Sequence, residues 1–174
     1  MDKRFAANRD NLFFVGRGLG AWFARPALPR TTQLLARVQH DAMIHMVDLK
    51  LHYARLRPHH LEPRLRATDE RIPHGSYPSG HSFVSHVNAE VLARLAPQRR
   101  DALVQSAREM AWSRELLGVH YPSDSEAGRL LAQDFVRLLF ESAAFRKDLA
   151  AVADEWAKVA PGSLGPPSAA RGGE

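Results

Sequence analysis

The sequence is organised around three short polar segments: Lys50-x6-Arg57-Pro58, Tyr77-Pro78-Ser79-Gly80-His81 and Ser113-Arg114-x5-His120-x3-Asp124. Together they carry three cationic side chains, two histidines, one carboxylate and a Ser-Gly turn. That combination suits the binding of an oxyanion and its transfer through histidine, because cations hold phosphate-like oxygens and imidazole can act as nucleophile or acid. Each segment alone is a weak signal, and the three in this order make a strong one.

Apolar residues recur at helical spacing on both sides of these segments, and no strand pattern is present. One long helix is expected to begin after a cap at Thr31 or Thr32. It is expected to end near Arg57, since the residue before a proline disfavours the α conformation. Further helix starts are predicted at Ser79, at Pro97, at the capping-box pattern Ser123-x-x-Glu126 and after Ser142. The sequence therefore predicts an all-α, single-domain helical bundle.

Two stretches fall outside the helical pattern. Residues 58–78 show no clear period, and because the run ends in Pro-Ser-Gly-His it is interpreted as an active-site loop. Residues 161–174 are rich in Pro, Gly, Ser and Ala, and are expected to form a disordered tail after a domain covering residues 1–160.

Lys50 and Arg57 are seven residues apart, so on a continuous helix they would lie on nearly the same face with a rise of about 10.5 Å. Two long side chains from such positions can converge on one anion, the arginine as a planar fork and the lysine as a point charge. Considered without the other segments, the pair would more simply be a solvated helix edge.

The Ser79-Gly80-His81 segment is expected where the loop enters a helix. Backbone N–H groups at a helix start bind anions, and glycine lets the backbone approach a ligand closely. A Ser-Gly pair before a helix is also an ordinary turn and cap. The adjacent His81 favours the functional interpretation, because it lies within reach of anything bound there.

The third segment spans a helix end, a break and a helix start. Arg114 is expected near the end of one helix, and His120 follows the break at Gly118. Asp124, in the first turn of the next helix, can accept a hydrogen bond from one nitrogen of His120 and leave the other as a nucleophile. The alternatives are a buried, hydrogen-bonded histidine and a carboxylate that only caps its helix.

The three segments resemble the tripartite motif of the PAP2 (type 2 phosphatidic acid phosphatase) and vanadium haloperoxidase superfamily. The sequence of residues 75–82, Gly-Ser-Tyr-Pro-Ser-Gly-His-Ser, is most similar to that of the bacterial class A non-specific acid phosphatases. The resemblance extends from roughly residue 8 to residue 159. It implies that His120 attacks phosphorus and becomes a phosphohistidine, that Asp124 orients it, and that His81 protonates the leaving alcohol and then helps to activate water. It also implies that the phosphoryl oxygens are held by Lys50, Arg57, Ser79, Gly80 and Arg114.

The function implied by this resemblance is a soluble acid phosphatase that hydrolyses phosphomonoesters without a metal or other cofactor. A vanadate-dependent haloperoxidase is the first alternative, since the same residues would bind vanadate as its cofactor. A lipid phosphate phosphatase is another, although those enzymes are embedded in membranes. A zinc site would need a tighter pattern such as His-Glu-x-x-His, which the sequence lacks.

Composition narrows the partners and the compartment. The net charge is +5 without a run of five like charges, which disfavours nucleic acid as a partner and leaves small phosphorylated substrates. No apolar stretch approaches 18 residues, so no membrane span is expected, and the absence of cysteine excludes thiol chemistry. Because no secretory leader is recognised, the chain as written is expected in the cytoplasm, or in the periplasm or medium if a leader has been removed. The sequence is compatible with both a monomer and a homo-oligomer.

Overall fold

The computed structural model describes residues 11–62, 64–65 and 73–160, and in these ranges it contains helices and turns but no strand. The predicted all-α class is confirmed. Five long helices form the fold: α1 (Pro29–Tyr53), α2 (Gly80–Leu95), α3 (Arg100–Leu116), α4 (Pro122–Glu141) and α5 (Ala143–Val159). Shorter helical turns lie at Asn11–Phe14, Val15–Leu19, Arg25–Ala27, Pro58–Leu61 and Pro97–Arg99. The predicted tail at residues 161–174, and residues 63 and 66–72 of the predicted loop, lie outside the described ranges.

Helix α2 is the central element of the fold. Eight consecutive residues, 82–89, are buried, so the helix is enclosed on every side over this stretch. It packs chiefly against α3 and α4, and it also contacts α1. The first turn of α2 is therefore held rigidly at the point where the second polar segment begins.

Helix α4 approaches α2 very closely at Gly128. A Cβ atom at Gly128 would lie 2.5 Å from the carbonyl oxygen of Ser79 and 3.0 Å from the backbone nitrogen of Phe83. The backbone amide of Ser79 also donates to the carbonyl of Asp124 at 2.9 Å. A glycine is required at this contact, which fixes the second and third polar segments relative to each other.

The start of α1 differs from the prediction. The helix begins at Pro29, and neither Thr31 nor Thr32 is its N-cap. The backbone amides of Arg30 and Thr31 instead donate to the Glu155 carboxylate of α5, at 2.7 and 2.9 Å. An acidic side chain from another helix therefore replaces the expected local cap. Its negative charge is also favourable at the positive end of the helix dipole.

The end of α1 also differs, with consequences for the site. The helix ends at Tyr53, and Ala54 adopts a left-handed conformation with φ of 43°. Arg57 is extended, as expected before Pro58, so the prediction that it lies on the helix face of Lys50 is wrong. The turn is supported from a distance, because the amide of Ser76 donates to the carbonyl of Arg55 at 2.8 Å.

Two other predicted N-caps and the predicted break at Gly118 are confirmed, whereas the predicted capping box is wrong. Ser79 and Ser142 are the N-caps of α2 and α5, and Gly118 has a φ of +67° just after α3. The predicted capping box at Ser123 and Glu126 is not formed. Helix α4 begins with Pro122 after Tyr121, in keeping with the preference of proline for the first helical position.

None of the helices in the described part of the chain is long and apolar enough to cross a lipid bilayer.

Candidate active site

His120 lies in the short connection between α3 and α4 and is almost completely buried. Its Nδ1 is 3.3 Å from Oδ2 of Asp124, and its Nε2 is 3.4 Å from Nη1 of Arg57. A neutral imidazole that donates from Nδ1 to the carboxylate keeps its Nε2 lone pair directed toward the guanidinium. The structure therefore brings a potential nucleophile beside a fixed cation, although the two atoms come from different segments.

Arg57 is held by backbone carbonyls on both sides of the site. Its guanidinium donates to the carbonyls of Val119 at 2.7 Å, His74 at 3.2 Å and Gly75 at 3.2 Å. Only 2% of the residue is exposed, so the charge cannot move far from His120. A bound oxyanion would meet a guanidinium that is already oriented.

Lys50 reaches the site from the last turn of α1, and its ammonium group lies under the loop that leads to α2. The Nζ atom donates to the carbonyls of Pro78 at 2.6 Å, Gly75 at 3.1 Å and Ser76 at 3.3 Å. An ammonium group has three donors, so direct contact with a phosphate requires the exchange of at least one of these carbonyls. Lys50 thus fixes the loop and contributes its charge to the site.

The other predicted residues lie at the starts and ends of helices. Ser79 is the buried N-cap of α2 and accepts from the amide of Ser82 at 3.3 Å, while Gly80 and His81 form the first turn. Arg114 is buried in the last turn of α3. All three polar segments therefore converge on the region between the start of α2, the end of α3 and the start of α4.

The electrostatics of this region favour an anion. Burial lowers the pKa of His81 to about 3, and the charges of Arg114, His120, Lys50 and Arg57 lower it in the same direction. Burial lowers the pKa of His120 to about 4 even though the hydrogen bond with Asp124 opposes this change. Both imidazoles are therefore neutral at pH 6, and the adjacent cations outnumber the one carboxylate.

The pKa values of Lys50 and Asp124 are also shifted from their ordinary values. Burial and the nearby charge of Arg57 lower the pKa of Lys50 to about 8. Burial raises the pKa of Asp124, but the hydrogen bonds from His120 and Tyr121 and the charge of Arg55 hold it below the ordinary value. Asp124 is consequently ionised throughout the range in which His120 is neutral.

Two residues near the site were not identified from the sequence. Arg55 donates from Nη1 to Oδ1 of Asp124 at 2.8 Å, and His74 Nδ1 lies 3.2 Å from Nη2 of Arg57. Residues two apart in an extended chain point to the same side. Recognition that α1 ends at Tyr53 would therefore have placed Arg55 on the side of Arg57.

A family model described as the PAP2 superfamily matches residues 34–147, a range that contains all eight predicted site residues. The chain belongs to the PAP2 superfamily. The resemblance of the three polar segments to this family is thereby confirmed. Among the described residues of this PAP2 chain, no three His, Asp or Glu side chains lie close enough together to hold a metal ion.

Several bacterial phosphatases are similar to the chain. The chain is 40% identical over 111 residues to a non-specific acid phosphatase of Salmonella typhi, a match covering 61% of this chain and 44% of the relative. It is 35% identical over 91 residues to a non-specific acid phosphatase of Providencia stuartii, covering 52% and 37%. An acid phosphatase of Zymomonas mobilis is 36% identical over 75 residues, covering 43% and 28%. The PAP2 chain thus spans less than half the length of each of these relatives.

Proposed function

We propose that the protein is an acid phosphatase that hydrolyses small phosphomonoesters through a phosphohistidine formed on His120. The observation that carries this proposal is the imidazole held between the Asp124 carboxylate and the Arg57 guanidinium, at 3.3 and 3.4 Å. The carboxylate stabilises the positive charge that the ring acquires on attack, and the guanidinium meets the phosphoryl oxygens. The names of the relatives support the same reaction class.

In the first step, Nε2 of His120 attacks phosphorus and the bond between phosphorus and the ester oxygen breaks. His81 gives its proton to that oxygen, so the product leaves as a neutral alcohol. The charge on the transferring group is met by Arg57 and Arg114 and by the ammonium of Lys50. Positioning and charge stabilisation, rather than covalent chemistry by many groups, supply most of the rate enhancement in such transfers.

In the second step, water attacks the phosphohistidine. His81, now neutral, accepts a proton from the water as the new bond to phosphorus forms and the bond to Nε2 breaks. His81 then passes this proton to the phosphate, which leaves as its monoanion, and both histidines return to their neutral starting states. No metal or cofactor takes part in the proposed reaction, because the three cationic side chains carry the charge stabilisation.

The source of the catalytic proton explains why the proposed activity is expected at acid pH. With a pKa of about 3, His81 does not carry a proton at pH 5. A phosphate monoester has a second pKa of about 6, so below that pH the monoanion brings a proton into the site. Transfer of that proton to His81 creates the acid beside a dianion, which stabilises the protonated imidazole.

The experiment that tests this proposal is hydrolysis of p-nitrophenyl phosphate at pH 5, with and without a chelator. We expect turnover that the chelator leaves unchanged and that His120→Ala removes. His40→Ala is the matched control, because His40 is exposed on α1, and it should retain wild-type turnover. Loss of activity on chelation, or full activity of His120→Ala, would contradict the proposal.

A further inference from the structure

Arg55 connects the first polar segment with the third and with the residue directly before the second. It belongs to the first segment, between Lys50 and Arg57, and its carbonyl accepts the amide of Ser76 at 2.8 Å beside the second. Its guanidinium donates to Oδ1 of Asp124 and to Oγ of Ser123, both at 2.8 Å, in the third. The same guanidinium lies 4.0 Å from the centre of the Tyr121 ring, which fixes its plane.

The two oxygens of Asp124 have separate partners. Oδ2 accepts the amide of Tyr121 at 2.9 Å and faces Nδ1 of His120 at 3.3 Å, whereas Oδ1 receives Arg55. Rotation of the carboxylate about its Cβ–Cγ bond would break the contact with Arg55. The side chain of Asp124 has no exposed surface, so its charge depends on these hydrogen bonds.

We propose that Arg55 is a positioning residue, which orients the Asp124 carboxylate toward His120 and balances part of its negative charge. Its catalytic consequence rests on the proposed function, in which His120 is the nucleophile. Arg55 is 38% exposed on its side chain, and its guanidinium donates to Asp124 and Ser123, on the carboxylate side of His120. It therefore acts through Asp124 rather than on the substrate.

Charge balance predicts the direction of the pH effect when Arg55 is removed. The full negative charge of Asp124 would then act on His120 and favour the protonated imidazole. The other charged or titratable groups acting on His120 are unchanged: Lys50 and Arg57 from the first segment and His81 from α2. The pKa of His120 should rise, so the acid limb of kcat/KM should move to higher pH.

Orientation predicts a separate effect on kcat. Without Arg55 the carboxylate is held only through Oδ2, and small misplacement of a group that aligns a nucleophile can cost up to about 100-fold. We expect Arg55→Ala to lower kcat by roughly 10- to 100-fold and to change KM little. Arg55→Lys keeps the positive charge but has a less suitable donor geometry. The acid limb of its kcat/KM profile should therefore lie closer to the wild-type position than its kcat lies to the wild-type value.

The test combines steady-state kinetics over pH with NMR titration of the His120 imidazole in the wild type, Arg55→Ala, Arg55→Lys and Arg37→Ala. Arg37→Ala is the matched control, because it removes an exposed ion pair with Asp148 of 2.6 Å far from the site. Wild-type values in Arg55→Ala for both kcat and the His120 pKa would overturn the inference, as would a downward pKa shift. If Arg55→Ala does not fold, Arg55→Lys with a wild-type kcat would overturn it equally.

These outcomes separate the inference from the function on which it rests. NMR titration reports the pKa of His120 whether or not the protein hydrolyses any ester. A wild-type protein without phosphatase activity would defeat the proposed function, while an upward pKa shift in Arg55→Ala would still support the contact between Arg55 and Asp124. An active wild type with an unaffected Arg55→Ala variant would defeat the inference alone.

Discussion

Substitution of Gly128 by alanine tests how closely the third polar segment is held against the second. Gly128 lies within helix α4, where alanine is intrinsically favoured over glycine by about 1 kcal/mol. At this position, however, the new Cβ would lie 2.5 Å from the carbonyl oxygen of Ser79. Helix propensity and packing therefore predict opposite signs for the same substitution.

The size of the packing effect follows from that distance. An ordinary contact between these atoms is about 3.4 Å, so α4 and the start of α2 must separate by roughly 0.9 Å. Overpacking of this kind costs about 1–3 kcal/mol, which leaves a net loss of up to about 2 kcal/mol after the gain in propensity. The separation would also disturb the hydrogen bond of 2.9 Å between Ser79 and Asp124, and should lower kcat/KM by up to about 100-fold.

Thermal unfolding and phosphatase kinetics of Gly128→Ala measure both effects. We expect a melting temperature lower by up to about 8 °C together with the loss of kcat/KM. Gly18→Ala is the control, since its Cβ would meet the Cβ of Ala102 at 3.3 Å, without a backbone atom closer than 3.9 Å. A Gly128→Ala protein with unchanged or raised stability and wild-type kinetics would refute the close packing of α4 on α2.

Three further predictions concern the chemistry. His81→Ala should lose hydrolysis of alkyl phosphates by far more than hydrolysis of p-nitrophenyl phosphate, whose leaving group needs little protonation; equal losses measured side by side would argue against His81 as the acid. The value of kcat/KM should decrease at pH values below about 4, because His120 becomes protonated there. On the basic side kcat/KM should decrease as the pH passes the second pKa of the substrate. A basic limb at the same pH for substrates that differ in their second pKa would contradict delivery of the proton by the monoanion. Vanadate should inhibit competitively, and Arg114→Ala should weaken inhibition and kcat/KM together; bromide oxidation by peroxide and vanadate without ester hydrolysis would instead indicate the haloperoxidase alternative.

The sequence predicted those parts of the fold that depend on neighbouring residues. Ser79 and Ser142 cap their helices as expected because an N-cap needs only its own first turn. The end of α1 could not be predicted in the same way. Ala54 is left-handed there, and the turn is supported by a hydrogen bond from Ser76, more than twenty residues away.

The candidate site shows the same division between local and distant causes. The spacing of His120 and Asp124 predicted their contact, because both lie around one helix start. The spacing of Arg55 from Arg57 does not predict its contact with Asp124, since that contact depends on where α4 packs. The pattern at Ser123 and Glu126 satisfied a local rule, but Pro122 at the first helical position moved the cap to Tyr121.

Trapping of the phosphoenzyme tests the central proposal most directly. The wild type would be mixed with labelled p-nitrophenyl phosphate, stopped in alkali within one turnover, digested, and examined for the modified residue by mass spectrometry. The proposed mechanism predicts a label that survives alkali, is lost in acid, lies on His120 and is absent from His120→Ala. A label on another residue, or rapid turnover with no labelled protein at any time, would contradict it.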